Sequence, residues 1–82
     1  MNKILVTGGL GYIGSHVVVE LQKMGFNVFI IDDLSNSSLV VLDRIEKITG
    51  IKPRFEKIDL KEKHEVAGFF NRHAEIDGII HF

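Results

Sequence analysis

The chain has no cysteine, a single proline and a single tyrosine among its 82 residues. Without cysteine there is no disulfide framework, no thiolate nucleophile and no thiolate metal ligand. Long apolar runs are missing as well: nothing approaches the roughly 20 residues that a membrane span requires. Met1-Asn2-Lys3 ahead of Ile4-Leu5-Val6 is too short an apolar segment for a secretion signal, and it meets Thr7 and Gly8 at once. A cytoplasmic protein is therefore the expectation. Charge of one sign is lacking too. Ten Lys and Arg against eleven Asp and Glu give a formal net charge of −1, which offers no electrostatic ground for a nucleic-acid or membrane partner. With 45% hydrophobic and 26% charged residues, the chain reads as one globular domain at most.

What is present alternates regularly. Residues 3–7 read as a strand without polar alternation, as in a parallel strand buried on both faces. Residues 12–24 read as a helix with Ile13, Val17, Leu21 and Met24 at helical spacing and Gly25 as its stop. Residues 27–31 form a second apolar strand, followed by a polar loop from Asp32 to Ser38. Residues 39–49 form a second helix with Val41, Ile45 and Ile48 on one face, a serine cap before it and Gly50 after it. Pro53 marks a boundary, and residues 54–58 read as a polar edge strand. Residues 61–73 predict a third helix with Val66, Phe69 and Phe70 inward, and residues 76–82 a fourth strand. The order βαβαβαβ implies a parallel sheet with helices on its faces. Right-handed crossovers put the first two helices on one face and the third on the other, with strand order 3-2-1-4.

The stretch that carries chemistry is Thr7-Gly8-Gly9-Leu10-Gly11-Tyr12-Ile13-Gly14. It lies where the first strand turns into the first helix. Two spacings fit it: Gly9-x-Gly11-x-x-Gly14 and Gly8-x-x-Gly11-x-x-Gly14. One glycine makes the tight turn, Gly11 lets a diphosphate approach the backbone, and Gly14 lets the helix pack close to the sheet. The first helical turn then offers free N–H groups and the positive end of the helix dipole. Asp32 closes the second strand eighteen positions beyond Gly14. A carboxylate there accepts from adenosine ribose hydroxyls and repels a 2′-phosphate, favouring NAD over NADP. Asp at a strand end is also an ordinary turn residue, but the glycines upstream in a βαβ frame favour the ribose role. Asp59 ends the third strand in the same way, near the adenine in this geometry; it is also well placed to cap the third helix, with the adenine contact favoured. His16, His64, His73 and His81 show no metal-ligand spacing, so no metal is expected. The fold class is α/β, half of a Rossmann-type doubly wound parallel sheet.

Val6 to His16, Ile31-Asp32-Asp33-Leu34-Ser35-Asn36-Ser37, Asp59-Leu60 and Ile79-Ile80-His81-Phe82 together resemble the opening of the UDP-glucose 4-epimerases, a branch of the extended short-chain dehydrogenases/reductases. The glycine motif alone would fit many sugar-nucleotide epimerases and dehydratases; the Asp-x-Leu-Ser-Asn-Ser loop points to the epimerase branch. Asp33 stands where that family usually has asparagine, which keeps an acceptor but loses an amide donor.

The resemblance implies NAD as cofactor. Tyr12 and Ile13 would lie against the diphosphate beside Gly8, Gly11 and Gly14, and Asp32 would hold the ribose. Asp33, Leu34, Ser35, Asn36 and Ser37 would wrap the adenosine end, with Asp59 and Leu60 flanking the adenine. Phe82 would begin the segment under the nicotinamide. The reaction it implies is transient oxidation of a UDP-sugar at C4 and return of the hydride to the other face. Other readings are part of a sugar-nucleotide dehydratase or decarboxylase, or a non-catalytic NAD-binding module.

The family's catalytic Tyr-x-x-x-Lys pair is not in these residues, since Tyr12 is followed four positions later by His16. The sugar-nucleotide domain is also lacking. The chain thus reads as an amino-terminal fragment over residues 1–82, truncated after the fourth strand and inactive alone, with a UDP-sugar as partner only in a longer protein. Self-association is expected through the open edge of the fourth strand or through an apolar surface around Ile4, Val6, Ile79 and Phe82.

Overall fold

A computed structural model describes residues 2–35 and 37–82. In chain order the elements are β1 (Lys3–Thr7), α1 (Tyr12–Lys23), β2 (Asn27–Asp32), α2 (Val40–Thr49), β3 (Arg54–Lys57), α3 (Lys63–Arg72) and β4 (Gly78–His81). The four strands form one parallel sheet in the order β3-β2-β1-β4, as the alternation predicts. β1 is central, with Val6 opposite Ile30 on one side and Ile80 on the other. Because successive side chains point to opposite faces, the two inner strands feed two cores. Val6, Val28 and Ile30 join Leu10, Val18, Leu42 and Ile45 beneath α1 and α2. Leu5, Phe29 and Ile31 join Ile58 and Phe69 beneath α3. Each fully buried Leu, Ile or Phe contributes about 1.5–3 kcal/mol, so the uninterrupted apolar runs of β1 and β2 account for the sheet's central position in both layers.

The faces of α1 and α2 match the expected stripes only in part: Leu21 of α1 and Val41 and Ile45 of α2 pack on the core, and the other residues expected on these two helices do not. In α1 the buried positions are Gly14, Val18 and Gln22, whereas Ile13 is 63% and Met24 69% exposed. Gly14 decides this. A Cβ added to it would stand 2.2 Å from the carbonyl oxygen of Gly8, so the helix meets the glycine loop along the line through residue 14. The contacts four residues apart then fall on Val18 and Gln22. Buried Gln22 is satisfied by the Thr49 hydroxyl, which donates to its Oε1 at 2.8 Å and ties the ends of α1 and α2 together. In α2, Leu42 and Ile45 are buried and Ile48 is exposed. In α3 the inward set holds: Phe69 is buried, with Val66 and Phe70 packed on the same cluster.

Element ends shift by a residue or two. Gly50 caps α2 in the left-handed conformation, φ +79°, as its position suggested. Ser38 accepts the Val40 N–H at 3.3 Å, but it precedes the actual N-cap, Leu39, which supplies no side-chain bond. Asp59 is not the cap of α3. Its Oδ1 accepts the Lys61 N–H at 2.9 Å and its carbonyl the Glu62 N–H at 2.9 Å. A turn therefore intervenes, and α3 starts at Lys63 behind an extended Glu62.

The open apolar patch is smaller than expected. Val6 is fully buried under α1 and Ile4 is half-buried, leaving Ile79 and Phe82 as the large exposed members. No helix among the described residues is long and apolar enough to cross a membrane.

Candidate functional site

The loop between β1 and α1 turns at Gly8, φ +70°, whose N–H donates to the Ile31 carbonyl at 2.9 Å. Its carbonyl in turn accepts the Gly11 N–H at 3.1 Å. Three of the four loop glycines are required by the protein's own packing. Gly8 needs its positive φ; a Cβ on Gly9 would lie 2.8 Å from Ile30, and one on Gly14 would strike Gly8. Gly11 is different. It has an ordinary extended backbone, φ −72° and ψ 172°, and a Cβ there would meet only the Gly8 oxygen at 3.4 Å. The fold does not need a glycine at that position, and the backbone there is left open to close approach.

Gly11 is also the N-cap of α1, and no side chain caps the helix or places a negative charge in its first turn. Ser15 N–H reaches the Gly11 carbonyl at 2.9 Å, while among the described residues the N–H groups of Tyr12, Ile13 and Gly14 have no acceptor. Three donors and the positive dipole end thus converge at the loop, the arrangement that binds phosphate oxygens. At this loop Tyr12 and Ile13 present backbone rather than side chain. Their side chains turn outward: Tyr12 is 83% exposed and stands edge-on to His16, centroids 4.9 Å apart. Tyr12 and His16 lie along a separate groove of about 370 Å³ between α1 and α2, with Val41 and Arg44 on its other wall.

Asp32, at the end of β2, accepts three hydrogen bonds. Leu10 N–H reaches Oδ2 at 3.2 Å; Leu34 N–H and the Ser37 hydroxyl reach Oδ1 at 2.8 and 2.9 Å. The carboxylate therefore braces the glycine loop against the loop after β2 and retains acceptor capacity on Oδ2. Asp33 Oδ1 accepts the Ser35 N–H at 2.9 Å and its hydroxyl at 2.8 Å. Those bonds, the backbone one foremost, hold the Asp33 carboxyl below its ordinary range. Asn36 lies outside the described residues.

Gly8, Asp32, Asp33, Asp59 and Leu60 line one cleft of about 180 Å³, together with Ile31, Ile58 and Lys61. Five of the residues singled out in the sequence thus converge at the carboxyl end of the sheet. Phe82 closes the other side of the loop: a Cβ on Gly8 would touch its Cβ and carbonyl oxygen at 3.5 Å. Leu34, Ser35 and Ser37 border the cleft only through the hydrogen bonds that Asp32 and Asp33 accept. No group of three or more His, Asp or Glu able to hold a metal occurs among the described residues.

A dinucleotide fits what is present: an open approach at Gly11, three free donors at a helix start, and a carboxylate at the end of β2. Two features escaped the sequence reading. Leu34 takes a positive φ of 65°, held there by its bond to Asp32, and no residue type marks it. Thr7 and His81 meet at 2.6 Å; aligning the ends of adjacent strands β1 and β4 would have paired them.

Known proteins share this sequence pattern and this fold. The chain is 47% identical over 79 residues to the UDP-glucose 4-epimerase of Bacillus subtilis, covering 96% of this chain and 23% of that protein. To the UDP-glucose 4-epimerase of Neisseria meningitidis serogroup B it is 46% identical over all 82 residues, 24% of that protein. It thus spans about a quarter of the length of these relatives. Among solved structures it superposes with a TM-score of 0.92, at 46% identity, on 24% of the Stenotrophomonas maltophila UDP-glucose-4-epimerase with bound NAD and formylated UDP-arabinopyranose, all of this chain being covered. The Bifidobacterium longum enzyme in complex with NAD+ and UDP gives the same TM-score at 37% identity, over 99% of this chain and 24% of that one. The matching family pattern runs over residues 4–82, from β1 through the glycine loop to the end of β4, and by it the chain belongs to the NAD dependent epimerase/dehydratase family.

Proposed function

We propose that this chain is the NAD-binding amino-terminal part of a UDP-glucose 4-epimerase that serves galactose metabolism in the cytoplasm. The observation that carries the reading is Gly11: a glycine that the fold does not require, standing at an uncapped helix start with three free N–H donors. In this reading the N–H groups of Tyr12, Ile13 and Gly14 bind the diphosphate. Asp32 holds the ribose, Asp33, Leu34, Ser35, Asn36 and Ser37 wrap the adenosine end, and Asp59 and Leu60 border the adenine. Phe82 starts the wall beneath the nicotinamide. Bound NAD supplies a reversible hydride acceptor for C4 of a UDP-sugar, and these residues orient it. The proton transfer at C4 needs groups not found in these 82 residues, so turnover of UDP-galactose by the chain alone, above background, would contradict this part of the reading.

Calorimetric titration tests the cofactor assignment. Saturable binding of NAD with distinctly weaker binding of NADP is expected, because Asp32 and Asp33 oppose a 2′-phosphate. Equal affinity for both, or heat from neither in a folded chain, contradicts it. The same proposal includes self-association along β4, whose outer edge lies beside exposed Ile79 and Phe82. Sedimentation should find dimers or larger species; a monodisperse monomer counts against this.

A further inference from the structure

β1 and β4 end side by side at the glycine loop. Thr7 is in register with His81, and Gly8 follows Thr7 directly. Thr7 is 4% exposed, and its hydroxyl has two partners among the described residues: His81 Nδ1 at 2.6 Å and the Phe82 N–H at 3.3 Å. The same N–H reaches the Thr7 carbonyl at 3.3 Å.

A hydroxyl has one proton to give and two lone pairs to receive. Phe82 N–H can only donate, so it occupies a lone pair of Thr7 Oγ1. If His81 carried its proton on Nδ1, Oγ1 would receive two donors and its own proton would face no acceptor in a nearly closed site. The network is satisfied in one way: Thr7 donates to Nδ1, and His81 carries its proton on Nε2. That nitrogen has no partner among the described residues, and His81 is exposed. It stands at the carboxyl end of the sheet, beside the switch point where open parallel sheets take their ligands.

We propose that Thr7 and His81 form a clasp that presents Nε2–H of His81 as a donor at this crevice and holds Phe82 against Gly8, so that Thr7 is a positioning residue for the glycine loop. The ligand consequence rests on the NAD reading above; the clasp itself does not. Long-range ¹H–¹⁵N correlation of the 82-residue chain reads the histidine tautomers directly. His81 should show a protonated Nε2 and an unprotonated, accepting Nδ1. Thr7→Val keeps the shape but removes the hydroxyl. It should turn His81 into a tautomer mixture, shift the amide signals of Phe82 and the loop, and weaken NAD binding about three- to tenfold, the worth of one hydrogen bond. Thr7→Ser should restore all three.

A dominant Nδ1–H tautomer in the unsubstituted chain overturns the proposal without any variant. So does a Thr7→Val chain with unchanged His81 nitrogens, or one with altered nitrogens but unchanged NAD affinity. If the unsubstituted chain binds no NAD, the cofactor reading fails, and the nitrogen and amide signals alone decide the clasp.

Discussion

At Gly14 the helix and the loop before it come closer than any side chain permits, and the neighbour is backbone rather than a movable side chain. Gly14→Ala must therefore displace α1 or the loop. The expected cost is about 1–3 kcal/mol, the usual penalty of overpacking, visible as a lower urea midpoint. An unchanged midpoint would mean that α1 sits less tightly than described. Gly14 and Asp32 were both legible in the sequence, because each answers a local demand at a fixed distance: close packing after a tight turn, and a carboxylate at a strand end. Leu34 was not legible. Left-handed backbone costs a non-glycine residue about 1–2 kcal/mol, and what offsets it is tertiary: its N–H bond to Asp32 and its packing on the cluster beneath α1 and α2.

The number and order of elements were legible because apolar strands and helices alternate with glycine and proline between them. Helix rotation was not. The run Ile13, Val17, Val18, Val19 and Leu21 offers more than one apolar stripe, and periodicity cannot choose among them. Contact between Gly14 and Gly8 chooses, and turns Ile13 to solvent. The two stripes make opposite predictions. Val18→Ala removes two methyl groups from a fully buried site and should cost about 2 kcal/mol, whereas Ile13→Ala should change stability by about 0.5 kcal/mol or less. Urea unfolding of the two variants reads the ranking, and the reverse order would restore the stripe through Ile13 and Val17. The start of α3 escaped for a related reason: Asp59 is a good cap by type, yet its side chain closes a turn two residues too early.

For the molecule as a whole, carboxylates join the outer parts of the fold. Glu56 of β3 meets both Arg72 and His73 at the end of α3, with 2.6 Å to His73 Nε2. His73 itself lies against the rings of Phe29 and Phe69. Burial raises the Glu56 carboxyl, but the hydrogen bonds from His73 and Arg72 outweigh it and the net shift is downward. Glu75 is also lowered, by its own backbone N–H and by Lys3, as is Asp33. A carboxyl with a lower pKa folded than unfolded stabilises the fold above its unfolded value, about 4 to 4.5. That stability is lost as pH falls through the lowered folded value. Urea midpoints should hold between neutral pH and about 5 as far as these groups are concerned, then drop. Glu56→Gln should lower the neutral midpoint and shrink the acid drop. An equally steep drop in that variant would remove Glu56 from the account.

The dinucleotide reading rests most directly on Gly11, which the fold leaves free to be something else. Titrating NAD calorimetrically into Gly11→Ala and the unsubstituted chain, with urea midpoints measured on both, separates folding from binding. Gly11→Ala should keep its midpoint within about 0.5 kcal/mol while losing about tenfold or more in NAD affinity, since in the proposed reading its methyl group would stand where the diphosphate approaches the backbone. A Gly11→Ala chain that binds NAD as tightly as its parent would contradict the account.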